Sequence, residues 1–148
     1  MEDTTIQEAS FEHAGRQIHY ATAGKQGGRP VLVFYPMGSS RRCLAIVEEE
    51  ALELGIWLIC CNRPGNGTSS PTEPPDSIKS AAWQLDTAVE DLRHLLDELS
   101  IEKASLLFLC AGTPFAVKFA SKYPERTAKM LGVACWISPA DCEACGRV

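Results

Sequence analysis

The sequence has no apolar run long enough to cross a membrane, and its first residues, Met1-Glu2-Asp3-Thr4-Thr5, are acidic and polar. A secretory leader needs a basic segment feeding an apolar one, so none is expected, and the protein is read as intracellular, in the cytoplasm. Positive charge is scarce: 14 Lys and Arg stand against 19 Asp and Glu, a net charge of −5. That balance argues against a sequence-independent grip on nucleic acid or an anionic membrane, and leaves a small molecule or another protein as partner. Histidine is scarcer still, with only His13, His19 and His94. Metal-ligand spacing is also missing. Cys142 and Cys145 form one C-x-x-C unit, whereas a zinc site needs two more ligands, and a redox pair would have to open a helix in a βαβ setting. No metal or cofactor is expected, and a loose surface pair is the plain reading of these two cysteines.

What is present is enough for one globular domain over residues 1–148, with 45% hydrophobic and 22% charged residues. Seven cysteines is an odd number, which favours free thiols over a disulfide framework when no export signal is expected. Cys60 and Cys61 lie inside an apolar run and are expected in the core.

The stretch Leu106-Leu107-Phe108-Leu109-Cys110-Ala111-Gly112-Thr113-Pro114 reads as a buried strand turning sharply into a helix. A nucleophile at such a turn is lifted above the sheet, with the amides of the following helix aimed at the substrate oxygen. Cys110 holds the nucleophile position, Gly112 removes a Cβ where the turn crowds, and Pro114 suits a first helical turn, where no amide donor is needed. Phe108 stands where the pattern G-x-S-x-G has its first glycine. Two readings of Cys110 stay open: a reactive nucleophile, or a small buried hydrophobe.

In chain order, residues 6–11 and 16–21 flank Glu12-His13-Ala14-Gly15 as a hairpin. Residues 31–35 and 56–61 are apolar throughout, as strands covered on both faces should be. Between them, Leu44, Val47 and Ala51 recur at helical spacing, with Ser39 or Ser40 as N-cap and Gly55 as stop. Residues 81–99 carry an apolar stripe through Val89, Leu92 and Leu96, while His94 sits on the polar face and is expected to be solvated. A helix over 114–123 and a last strand over 130–137 complete the pattern. Alternating apolar strands and helices after a hairpin predict an α/β fold with a mostly parallel sheet, its active face at the carboxyl ends of the strands.

Five markers in order, Gly15-Arg16-Gln17-Ile18-His19-Tyr20, residues 31–40, Asn62-Arg63-Pro64-Gly65-Asn66-Gly67-Thr68-Ser69, the elbow and Tyr123-Pro124-Glu125-Arg126, resemble the N-terminal portion of the α/β-hydrolase fold family. The resemblance runs from about Gly15 to Pro139 and implies a truncated α/β-hydrolase domain. It implies an oxyanion amide from Met37, in a loop where Tyr35-Pro36 replaces the usual His-Gly, and a second from Ala111. Tyr35 would border the substrate, and Arg63 would tie loops together. Lactone-opening members use a Cys, His and Asp triad, which suits Cys110; Asp141 stands near one family position of the triad acid. The family's late catalytic histidine has no counterpart among the three histidines present. Asn62 replaces the usual Asp.

Two functions stay open. One is an enzyme acting on a small ester, thioester or lactone, or performing a non-hydrolytic step, in a pocket above Cys110. The other is a catalytically inactive relative that binds a small molecule or a partner chain. The strand over Met130 to Ile137 would be outermost, which predicts a homodimer or a complementing chain paired along that edge.

Overall fold

The computed structural model describes residues 6–72 and 82–135. Six strands form one sheet: β1 (Gln7–His13), β2 (Arg16–Gly24), β3 (Arg29–Phe34), β4 (Ile56–Cys61), β5 (Ala104–Leu109) and β6 (Thr127–Val133), in the spatial order β1-β2-β4-β3-β5-β6. β1 and β2 run antiparallel to their neighbours, and β4, β3, β5 and β6 are mutually parallel. Among the described residues three α-helices, α1 (Glu48–Glu53), α2 (Ala82–Glu98) and α3 (Thr113–Lys122), accompany the sheet.

Period-two alternation splits the central strands between two cores. Leu32 and Phe34, Trp57, Ile59 and Cys61, and Leu106 and Phe108 pack with Val89, Leu92, Leu95 and Leu96 of α2 and with Ala116 and Phe119 of α3. The alternate residues Val33, Leu58 and Cys60 face Leu44 and Ala51 on the other side. Burial of each large apolar side chain contributes about 1.5–3 kcal/mol, which is why these uninterrupted apolar runs become covered strands. Cover on the second face thins beyond β3: the residues of β5 that face that side are only half-buried, and most of β6 is exposed.

Several boundaries differ from the expectation. The hairpin turn is tighter, with His13 opposite Arg16 and only Ala14 (φ 51°) and Gly15 (φ 73°) between them, the two left-handed residues of a type I′ turn. The helix expected after Ser40 is interrupted: Arg41–Ile46 is a 3-10 segment, and α1 begins at Glu48 after Val47 leaves helical geometry. Ser40 does cap it, its hydroxyl accepting from the Arg42 amide at 3.3 Å. The last strand starts three residues before the expected position, at Thr127, and ends at Val133; Trp136, Ile137, Asp141 and the Cys142/Cys145 pair lie outside the described residues.

His94 is also corrected. Its ring stacks on His13 at 4.5 Å and against Phe11 at 5.6 Å, because β1 folds back over α2. The same approach buries Asp91, which accepts from Arg16 Nη2 at 2.5 Å and contacts His13 Nδ1 at 2.9 Å. A buried carboxylate is tolerable only when paired and hydrogen-bonded in this way. At the far end, Arg126 explains its marker: it donates to the carbonyls of Glu102 and Ile101, closing the turn between α2 and β5.

Candidate active site

β3, β4 and β5 are parallel and adjacent, so the three segments that leave their carboxyl ends meet at one rim of the sheet. These are residues 35–40, residues 62–70 and the turn at Cys110. Cys110 is exposed and has φ 45°. A left-handed conformation at a residue with a Cβ costs of order 1–3 kcal/mol, so the surroundings must impose it. They do so through the abrupt passage from β5, via a 3-10 turn over Cys110–Gly112, into α3. The Thr113 hydroxyl donates to the Cys110 carbonyl at 2.7 Å and ties the turn to the helix start.

Gly112 has an ordinary φ of −73°, so its role is spatial: a Cβ there would stand 2.3 Å from the Phe34 carbonyl oxygen. The elbow therefore rests on the last residue of β3, where the loop bearing Met37 departs. Met37 is 75% exposed, and Ala111 is buried in the first turn of the helical segment, where amides lack intrahelical partners.

The first two loops are bolted together by Tyr35. Expected to border a substrate, it is instead 2% exposed. Its hydroxyl accepts from the Arg63 amide and from Asn66 Nδ2, both at 2.7 Å, and burial holds the phenol above its ordinary pKa. The Arg63 guanidinium lies 4.2 Å from the Tyr35 ring centroid and 4.4 Å from that of Phe115, and its Nη2 donates to the Tyr35 carbonyl. Arg63 thus joins both loops to α3, and burial pulls its pKa down. Asn62 is buried as well; its Oδ1 accepts from the Arg41 amide at 2.9 Å, and its Nδ2 donates to the Asn66 carbonyl at 3.2 Å. Sequence reasoning does not reach the supporting roles of Arg41 and Asn66, although the density of Asn, Gly and Ser in residues 62–70 is the signal that could have found the second.

No protein-family model matches the chain. Individual proteins do. A Bacillus subtilis protein described as an uncharacterized hydrolase, YcgS, is 33% identical over 134 residues, which is 87% of this chain and 43% of the relative. The Escherichia coli 2-hydroxy-6-oxononadienedioate/2-hydroxy-6-oxononatrienedioate hydrolase is 28% identical over 135 residues, 88% of this chain and 44% of its own length. Among solved structures, epoxide hydrolase A from Mycobacterium thermoresistibile superposes with a TM-score of 0.72 at 25% identity, over 86% of this chain and 39% of that one. A Rhodococcus 2-hydroxy-6-oxo-6-phenylhexa-2,4-dienoate hydrolase gives 0.76 at 18% identity, over 89% and 47%. The chain has the α/β-hydrolase fold over the part of these proteins that it spans. It spans less than half the length of these relatives.

Within this α/β-hydrolase fold, the described residues do not bring a histidine to Cys110. His19 is on β2, three strand spacings from β5, or about 14 Å across the sheet, and His13 is on β1, about 19 Å away. His94 is stacked on His13 and belongs to the same distant group. Val33, Phe34, Tyr35, Cys61, Asn62, Arg63, Ala88, Leu92 and Phe115 enclose a cavity of only about 20 Å³, room for one water molecule. No group of three or more His, Cys, Asp or Glu among the described residues could hold a metal, and no described helix is long and apolar enough to cross a membrane.

Proposed function

We propose that the protein is a hydrolase-type enzyme acting on a small ester, thioester or lactone, with Cys110 as nucleophile. The observation that carries this reading is the strained, exposed cysteine at the head of α3, seated on β3 through Gly112. In the proposed step the Cys110 sulfur attacks the carbonyl carbon, and the carbonyl electron pair moves onto oxygen, where the amides of Met37 and Ala111 would receive it. Collapse expels the alcohol or thiol, which takes up a proton. Water then attacks the acyl-enzyme, releases the acid and returns the proton to sulfur. Asp141 is kept in this reading as the triad carboxylate, outside the described residues. The hydrolase names of the relatives support the class.

The distance of all three histidines favours a second reading, an inactive relative that binds a small molecule or a partner chain. A general base contributes about 10²- to 10⁴-fold, so acylation should outpace release. The test is a p-nitrophenyl ester assay with mass analysis of the intact chain. The expected result is one acyl group on Cys110, slow turnover, and loss of both in Cys110→Ala. Turnover that survives Cys110→Ala overturns the nucleophile assignment, and an intact chain that never acylates counts against the enzymatic reading and favours the second.

A further inference from the structure

Two thiols outside the candidate active site face each other. The Cys43 and Cys60 sulfurs are 3.9 Å apart, both cysteines are free, and they come from different elements: Cys43 from the 3-10 segment after the first loop, Cys60 from β4. Cys43 is half-buried and reachable from solvent, whereas Cys60 is fully buried. Strand alternation sets the choice of partner. Cys60 points to the face covered by Leu44 and Ala51, as Cys43 does, while the adjacent Cys61 points to the opposite core beneath α2.

We propose that Cys43 and Cys60 form a peroxide-responsive disulfide switch, with Cys43 as the attacking thiol and Cys60 as the resolving thiol. The Cys43 sulfur attacks one oxygen of hydrogen peroxide. The O–O bond breaks, a Cys43 sulfenic acid forms, and the departing hydroxide leaves as water with the thiol proton. The Cys60 sulfur then attacks the Cys43 sulfur; the S–S bond forms, the S–O bond breaks, and the sulfenic hydroxyl leaves as a second water with the Cys60 proton. The two sulfurs lose two electrons, and the two peroxide oxygens gain them.

The division of labour fits the surroundings. A hydrogen bond from Cys60, reinforced by the positive charge of Arg63, draws the Cys43 thiol below its ordinary pKa, while that same bond and burial push Cys60 up. The thiolate is the nucleophile, so the reachable sulfur is also the activated one. Bond formation requires the sulfurs to close from 3.9 Å to about 2.05 Å, a contraction that rotamer adjustment of Cys43 on its short, solvent-edged 3-10 segment can supply. The product would staple this segment to β4, next to the hydrogen bond that the Arg41 amide donates to Asn62 Oδ1 in support of the second loop. The proposal does not depend on the role of Cys110.

The test is exposure of the folded chain to hydrogen peroxide, removal of the peroxide, blocking of remaining thiols with N-ethylmaleimide under denaturing conditions, and fragment mapping without reductant. Trypsin leaves Cys43, Cys60 and Cys61 in one fragment, so cleavage after the glutamates between Glu48 and Glu53 is needed to separate Cys43 from Cys60. The expected result is a Cys43–Cys60 link that dithiothreitol reverses, that persists in Cys61→Ala, and that disappears in Cys43→Ala. In Cys60→Ala, Cys43 should accumulate as a sulfenic acid captured by dimedone. If Cys60→Ala fails to fold, the half-buried Cys43→Ala decides alone. A link from Cys43 to Cys61 or Cys110, or oxidation of Cys110 with Cys43 and Cys60 still blocked by maleimide, overturns the proposal.

Discussion

The Phe34 carbonyl oxygen lies 2.3 Å from the point a Cβ on Gly112 would occupy, so the elbow and the end of β3 are in backbone contact. Gly112→Ala must therefore push the two main chains apart rather than displace a flexible side chain. We expect a cost of about 1–3 kcal/mol, read as a lower urea midpoint at unchanged slope. Unchanged stability would mean that the elbow does not rest on β3.

Cysteine labelling of the native chain should be graded by exposure. Cys110 and Cys135 are exposed, Cys43 is half-buried, and Cys60 and Cys61 are buried. With iodoacetamide near neutral pH, Cys110 should react ahead of Cys135, because the left-handed elbow lifts its exposed side chain at the head of the segment leading into α3. Cys60 and Cys61 should label only after denaturation. Equal rates at Cys110 and Cys135 in peptide mapping would remove the activation that the proposed mechanism needs.

Acid should loosen the α2–α3 contact. Glu90 pairs with Lys122 at 2.5 Å and accepts from the Tyr123 hydroxyl, and these bonds hold its pKa down at about 2. A carboxyl depressed from 4.5 contributes stability that is present above pH 4.5 and is lost as pH falls toward 2. Urea midpoints across that window should fall more steeply for the wild type than for Glu90→Gln; parallel curves would show that the pair contributes nothing.

The β6 edge should associate. Leu131 is 63% exposed and Met130 and Val133 are nearly half exposed, on the strand that is outermost in the sheet among the described residues. The start of β6 at Thr127 also places Lys129 on this edge, a charge of the kind that blunts pairing. We expect a self-associated species by sedimentation at micromolar concentration, reverting to monomer in Leu131→Lys. A monomeric wild type would refute pairing along β6.

The central strands β3, β4 and β5 are legible in the sequence because each is a short apolar run bounded by turn residues, the β1–β2 hairpin because Ala14-Gly15 marks its turn, and α2 because its apolar stripe spans nearly five turns. The break at Val47 is not legible: Leu44, Val47 and Ala51 satisfy helical spacing, but the short passage back to β4 is met by a 3-10 segment that buries Leu44 and leaves Val47 exposed. His94 shows the same limit. Its neighbours on α2 are polar, and only the return of β1 across the sheet supplies the rings of His13 and Phe11 that cover it.

Sequence alone determined the α/β class, the elbow at Cys110 and the small residue at Gly112, because hydrophobic period, turn chemistry and a strand-to-helix junction are local properties. Tertiary structure alone decided that Tyr35 is a buried strut, that Arg63 lies between the rings of Tyr35 and Phe115, that the described histidines are far from Cys110, and that Cys43 faces Cys60. Each of these depends on the strand order β1-β2-β4-β3-β5-β6, which brings together residues far apart in the chain. Spacing along one segment carries no information about such neighbours.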